Sequence, residues 1–325
     1  MIEQLLPNMY KIEIPLPKNP LRVTNSYFIK GKERNLLIDT GFNQEECKVA
    51  MDQAIKELDI SLENTDIFIT HIHGDHSGLA GYLSRPENKV YTGGYTAKSL
   101  MGDKGATLET FYYDLLRESG LEGITLLDHP GYTYASDPLE KVNIVRDGEI
   151  LEVGEIKLQC IETSGHAPDH FCLYDEEQEI LYSGDHILGK ITPNNTIWDT
   201  PSTITRDYLG EYLSTLDKIA ALKIKTIYPA HRFIIENPYQ RIEELKDHHG
   251  KRLENILEIL GKESMTGAQV ASKMKWDLTI KSWEDFPPAQ KIFATGEALA
   301  HLTHLVFENV LTKELRDGIV YYSRA

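Results

Sequence analysis

The chain is predicted to fold as an α/β domain followed by a smaller, mainly helical unit. Three observations predict this. Short apolar runs with period-two alternation recur from Met9 to Tyr228, with helical patterns between them. The metal-type run Thr70-His71-Ile72-His73-Gly74-Asp75-His76 stands directly after one of those strand patterns. Beyond about residue 246 the pattern changes to helices and one hairpin.

In chain order, Met9–Ile14, Thr24–Ile29 and Asn35–Asp39 read as strands, broken by Gly31. Residues 44–58 read as a helix, with Val49, Ala50, Ala54, Ile55 and Leu58 near helical spacing. Residues 66–70 form the strand before the histidine run, a helix follows through Leu83, and Lys89–Tyr91 is a short strand. Residues 95–138 read as a helical insertion. Its aromatics, Tyr95, Phe111, Tyr112, Tyr113, Tyr132 and Tyr134, either line a pocket or pack the insertion onto the body. Residues 142–185 return to strands, 207–222 form an amphipathic helix, and 226–230 form a last strand of the body. A helix over 238–260 begins with an early proline. Then come a short capped helix near 265–274, a longer one over 287–309, and a hairpin around Asp317-Gly318. This order of elements looks like a winged helix. The division expected is 1–245 and 246–325.

Composition narrows the function classes. No stretch of 18 apolar residues exists, and the first residues lack the blocks of a signal peptide, so the cytoplasm is the expected compartment and no membrane partner is expected. Cys47, Cys160 and Cys172 match neither a metal spacing nor a disulfide framework. Cys160 and Cys172 read as buried small hydrophobes, and Cys47 as incidental in a polar helix start. The net charge is −16. From residue 250 onward, ten Lys+Arg face ten Asp+Glu, so the whole excess falls on the body. Such a surface disfavours a polyanionic partner such as nucleic acid, and a neutral C-terminal unit suits packing or homodimerisation better than DNA binding.

The histidine run carries the chemistry. His71 and His73 are two apart and point the same way if the strand stays extended. Gly74 permits a turn, and Asp75 and His76 then open a helix. Imidazole and carboxylate without thiolate suit zinc, iron or manganese.

The pattern His-x-His-x-Asp-His resembles the metallo-β-lactamase superfamily, here its glyoxalase II-like group. Four further motifs follow that family's order: Ile38-Asp39-Thr40-Gly41, Ser164-Gly165-His166, Ser183-Gly184-Asp185 and Pro229-Ala230-His231. The resemblance implies a four-layer αββα sandwich. It implies that His71, His73 and His166 hold one metal, that Asp75, His76 and His231 hold a second, and that Asp185 bridges them. Two divalent metal ions, zinc first with iron or manganese as alternatives, would share a hydroxide made from water. That hydroxide would attack a thioester, lactone or similar ester-like bond of a small molecule. Asp75 is also the catalytic candidate, orienting the nucleophile and handling its proton. Asp39 would orient a ligand histidine from behind. His170 and His186 read as structural, and His129, His248, His249, His301 and His304 as solvated or core histidines.

Substrate contacts are sought in Lys190, Asn194, Asn195 and Arg232. The chain's end does not look like the glutathione-binding end of glyoxalase II enzymes. A penicillin-hydrolysing role is disfavoured because those members differ in the third motif and often carry Cys where Asp185 stands. His73 speaks against the flavodiiron redox group, which has an acidic residue there. The alternatives kept open are a metal-dependent endoribonuclease or phosphodiesterase and, behind it, a winged-helix nucleic-acid-binding regulator.

Overall fold

The computed structural model describes all residues except 103–107, 122, 126–132, 155, 278, 279 and 281. His129 and Tyr132 lie outside the described residues, as does the side chain of Phe111.

The body is built on two sheets. The first contains β1 (Ile2–Leu6), β2 (Met9–Pro15), β3 (Val23–Ile29), β4 (Asn35–Ile38), β5 (Thr65–Phe68), β6 (Val90–Thr92) and β7 (Asn143–Ile144), hydrogen-bonded in that order. Strands β1 to β4 are antiparallel, and β4 to β7 are parallel. Parallel neighbours need a crossover, and α1 (Glu45–Glu57) supplies the one between β4 and β5. The second sheet runs β12–β11–β10–β9–β8, from β8 (Ile150–Val153), β9 (Ile156–Glu162), β10 (Phe171–Asp175), β11 (Ile180–Gly184) and β12 (Thr226–Pro229). Only β11 and β12 pair in parallel there, joined through α6 (Tyr208–Ala220).

Period-two alternation decides the layers. Along β3 and β4, Tyr27, Ile29, Leu36 and Ile38 enter one buried cluster, while Phe28 and Leu37 enter another. Along β10 and β11, Phe171, Leu173, Ile180 and Tyr182 join the first of these, and Cys172, Tyr174 and Leu181 face a third. The shared cluster is therefore the seam between the sheets, and the other two glue helices to the outer faces. One outer layer is α1 with α2 (Gly74–Ser77), α3 (Ala80–Leu83) and α4 (Gly94–Leu100). The opposite layer is α6 and α7 (Pro238–Leu260). This is the four-layer αββα sandwich, and each fully buried Leu, Ile or Phe contributes about 1.5–3 kcal/mol to it.

Helix α5 (Leu108–Glu118) lies in the insertion, and two of the insertion's described aromatics take the packing role. Tyr134 packs on Phe42 and Tyr112 on a small cluster with Leu116 and Ile292, whereas Tyr95 and Tyr113 are exposed. Two local expectations change. Strand β1 escapes a reading by pattern because it is a half-exposed edge strand without a clean apolar face. Cys47 is fully buried and its thiol reaches the Pro15 carbonyl at 3.1 Å, because the first turn of α1 turns that side toward β2.

The C-terminal part runs from α7 through β13 (Met265–Thr266), α8 (Gly267–Lys273), α9 (Pro288–Phe307), β14 (Leu311–Arg316) and β15 (Ile319–Arg324). Its sheet has the order β13–β15–β14. Thr266 and Gln269 form a reciprocal capping box on α8. Asp317 and Gly318 take φ of 50° and 80°, the left-handed pair that a two-residue hairpin turn requires. Residues 245 and 246 both lie inside α7.

Candidate metal centre

Chain ends of five strands meet at one rim of the sandwich. Asp39 follows β4, the run 70–76 follows β5, His166 lies between β9 and β10, Asp185 follows β11, and His231 follows β12. Loops at the carboxyl ends of parallel strands are where α/β sheets expose polar groups to a crevice. The sheets are stitched there: the Phe171 N–H donates to the Thr70 carbonyl at 2.9 Å, and the Tyr27 hydroxyl to the Pro229 carbonyl at 2.7 Å.

Seven side chains converge. His71 Nε2, His73 Nδ1 and His166 Nε2 lie 2.8, 3.0 and 3.3 Å from one another. Asp75, His76 and His231 form a second group, with His231 Nε2 3.3 Å from Asp75 Oδ2. Asp185 stands between them. Its Oδ1 is 3.4 Å from His231 Nε2 and 3.5 Å from His76 Nε2, and its Oδ2 is 3.7 Å from His166 Nε2.

The outward nitrogens explain why the inward ones are bare. His71 Nδ1 donates to Thr70 Oγ1 at 3.0 Å, and that hydroxyl donates to Asp39. His76 Nδ1 donates to Asp39 Oδ2 at 2.8 Å. His166 Nδ1 donates to the Asn194 carbonyl at 2.9 Å, and His231 Nδ1 to the Val23 carbonyl at 2.8 Å. Each bond occupies the outward nitrogen and leaves the other aimed inward, where its lone pair could face a cation. Asp39 is itself held by the Thr70 N–H at 2.9 Å, and its φ of 58° turns its carboxylate under the run.

The donor set fits a divalent cation. Among the described residues, buried His76 Nε2, His231 Nε2 and Asp185 Oδ1 have no hydrogen-bond partner, a costly state that coordination would relieve. Tetrahedral imidazole ligands at about 2.0 Å from zinc lie roughly 3.3 Å apart, close to the spacing in the His71 group. Burial and the neighbouring imidazoles push His71 and His73 well below the usual histidine range, so both are neutral, and burial lowers His166. Burial would raise Asp75 and Asp185, but adjacent histidines outweigh it. Asp75 is held at about 2, and Asp185 well below the carboxylate range. Burial would lower His76 and His231, yet the surrounding carboxylates raise both.

Several residues outside the motifs shape the site. Trp198 stacks on His73 at 5.5 Å, and its indole N–H donates to the His166 carbonyl at 3.2 Å. Tyr95 meets Trp198 edge-on. No motif announces Trp198; only the loop's position after Asp185 points toward it. His170 does more than stabilise its own turn. Its Nδ1 donates to Thr163 Oγ1 and its Nε2 accepts the Asp185 N–H at 3.1 Å. His186 is buried against Tyr212 and takes no part in the convergence of the seven side chains. His249 and His301 form a buried chain at 3.0 Å. The expected substrate contacts change: Asn194 and Asn195 reach toward the C-terminal helices rather than the cleft. Arg232 donates to the Pro20 carbonyl, while Lys190 is exposed over the ring of Phe233.

Residues 19–231 match the family model described as Metallo-beta-lactamase superfamily. The chain belongs to the metallo-beta-lactamase superfamily. Residues 283–325 match a second model, the metallo-beta-lactamase-like C-terminal domain. The chain is similar to a beta-lactamase-like protein 2 homolog of Caenorhabditis elegans, 28% identical over 92% of this chain and 81% of that one. It is also similar to an atrochrysone carboxyl ACP thioesterase of Emericella nidulans, 28% identical over 83% of this chain and 71% of the relative. Among solved structures, a metallo-beta-lactamase family protein of Thermus thermophilus superimposes with a TM-score of 0.84 at 28% identity, covering 99% of this chain and 100% of that one. A beta-lactamase domain protein of Burkholderia ambifaria shares the fold, with a TM-score of 0.79 at 23% identity over 100% and 95% of the two chains. The expectation of a hydrolase of this family stands with these matches. No helix among the described residues is long and apolar enough to cross a membrane.

Proposed function

We propose that this chain is a dinuclear metal-dependent hydrolase acting on a thioester, lactone or similar ester-like bond of a small molecule. The observation that carries the reading is the pair of ligand groups with bare inward nitrogens, joined through Asp185. His71, His73 and His166 would hold one cation, and Asp75, His76 and His231 the other. Zinc is the first candidate for a set of imidazoles and carboxylates. Two such cations would supply Lewis acidity toward a carbonyl oxygen and bring the pKa of water near 7.

The protein's own part is orientation. Asp75, ionised at neutral pH, can accept a hydrogen bond from the attacking water and hold it on the carbonyl side of the site. Trp198 and Tyr95, set edge to face, offer an aromatic corner for an acyl group beside His73. The thioesterase relatives support the choice of thioester.

We read the C-terminal part, with α7, as a winged-helix-like unit, and the division 1–245 and 246–325 as a working one. Twelve residues of α9 are buried, and the unit adds no net positive charge. Both facts support packing rather than nucleic-acid binding.

The test is a hydrolysis screen of the zinc-reconstituted protein against thioesters, lactones, phosphodiesters and β-lactams, with Asp75→Ala alongside. Turnover of a thioester or lactone that falls at least about 100-fold in Asp75→Ala is expected. Turnover of phosphodiesters alone would overturn the proposal, as would fewer than two bound metals per chain.

A further inference from the structure

The loop after Asp185 grips His166 from two sides. The Asn194 carbonyl accepts from His166 Nδ1, and the Trp198 indole donates to the His166 carbonyl. The same tryptophan stacks on His73. Two of the three histidines in the first ligand group therefore take their orientation from residues 194–198.

Nothing in that loop is regular secondary structure, so something else must hold it. The C-terminal helices do. The Asn194 side-chain amide donates to the Phe293 carbonyl at 3.1 Å and toward Glu297 Oε2 at 3.4 Å, both on α9. Glu297 is buried and paired with Arg252 of α7 at 2.8 Å. Asn195, fully buried, meets His249 of α7, which meets His301 of α9. Arg241 of α7 donates to the Leu188 and Ile191 carbonyls, each at 2.7 Å. Gly296 of α9 lets the loop approach closely, for a Cβ there would lie 2.3 Å from Thr196 Oγ1.

We propose that Asn194, anchored by the Phe293 carbonyl and by Glu297 of α9, is a positioning residue for His166, and that the C-terminal helices are thereby a working part of the first ligand group. This rests on reading His71, His73 and His166 as metal ligands. The Asn194 side chain touches no ligand. It fixes the backbone carbonyl that orients His166, and residues behind a metal's ligands typically change its affinity about 10–100-fold.

Cobalt(II) titration of the full-length apoprotein, followed by visible absorption, reads the two groups as two binding steps. In Asn194→Ala one step is expected to weaken about 10–100-fold while the other stays at its wild-type value. Asn194→Asp places a second carboxylate against Glu297 and should weaken the same step. Adding Glu297→Gln removes the repulsion between the two carboxylates but leaves the Phe293 carbonyl without its donor, so the double variant should recover part of the loss. Unchanged affinity for both steps in Asn194→Ala would overturn the inference. So would equal weakening of both steps, or a double variant no better than Asn194→Asp. Failure of the wild-type chain to bind cobalt would instead overturn the metal-site reading itself.

Discussion

Asp39→Asn isolates the electrostatics behind the ligands with little change in shape. The position takes φ of 58°, which asparagine adopts readily, so the backbone should persist. Asp39 accepts the Thr70 N–H at 2.9 Å, the Thr70 hydroxyl at 2.9 Å and His76 Nδ1 at 2.8 Å. An asparagine has one accepting oxygen. If it serves the Thr70 N–H, as buried backbone requires, its NH2 faces His76. His76 Nδ1 must then accept, and the proton moves to Nε2, the nitrogen that faces Asp185 and Asp75. A protonated nitrogen cannot ligate. The expected loss is about 10–100-fold in affinity for one metal, or roughly 1.4–2.7 kcal/mol. Competition titration of zinc against a chromophoric chelator measures it. The His71 group should lose less, because its link to Asp39 runs through the Thr70 hydroxyl. Wild-type affinity at both sites would refute the tautomer argument.

Three further perturbations test other levels of the structure. Gly184→Ala would place a Cβ 2.6 Å from His170 Nε2 and 2.8 Å from Thr70 Oγ1, with φ at 49°. It should shift Asp185 and lower the metal content of the purified protein, read by atomic absorption. Leu181→Ala removes a fully buried side chain between the second sheet and α6, and should cost about 2–5 kcal/mol in urea unfolding. His304 is raised above its ordinary value mainly by its hydrogen bond to Asp207, the residue that caps α6. A raised histidine stabilises the fold fully below its ordinary value of about 6.5 and loses that contribution as pH rises through the folded value. Thermal melts of the metal-free protein should therefore fall across that window, and His304→Gln should flatten this part of the fall.

Much of the secondary structure is legible in the sequence because its causes are local. The helix over 238–260 is found at those residues because a proline opens it and Gly261 follows it. Asp317-Gly318 makes the hairpin turn because both residues tolerate a positive φ. Asp75 and His76 lie in the first turn of α2 as the spacing suggests, although the helix already starts at Gly74 and not after a turn there. Strand β1 is not legible, since an edge strand buries too little to need an apolar face. The burial of Cys47 is hidden from its own helix pattern because it comes from β2, not from helix neighbours.

By itself, the sequence determined the period-two strands, the caps and turns, and the cluster of metal-type side chains from His71 to His76, while His166, Asp185 and His231 joined that cluster through the family resemblance. The strands, the caps and turns, and the cluster each depend on residues within a few positions of one another. The tertiary structure alone decided what surrounds those ligands. Trp198 lies against His73 although several strands and helices separate them along the chain, and Asn194 meets Glu297 across a separation of 103 residues. Such contacts form only when the sheets stack and the C-terminal helices dock on the loop. No local pattern encodes them, because the packing that makes them favourable does not exist until the whole chain has folded.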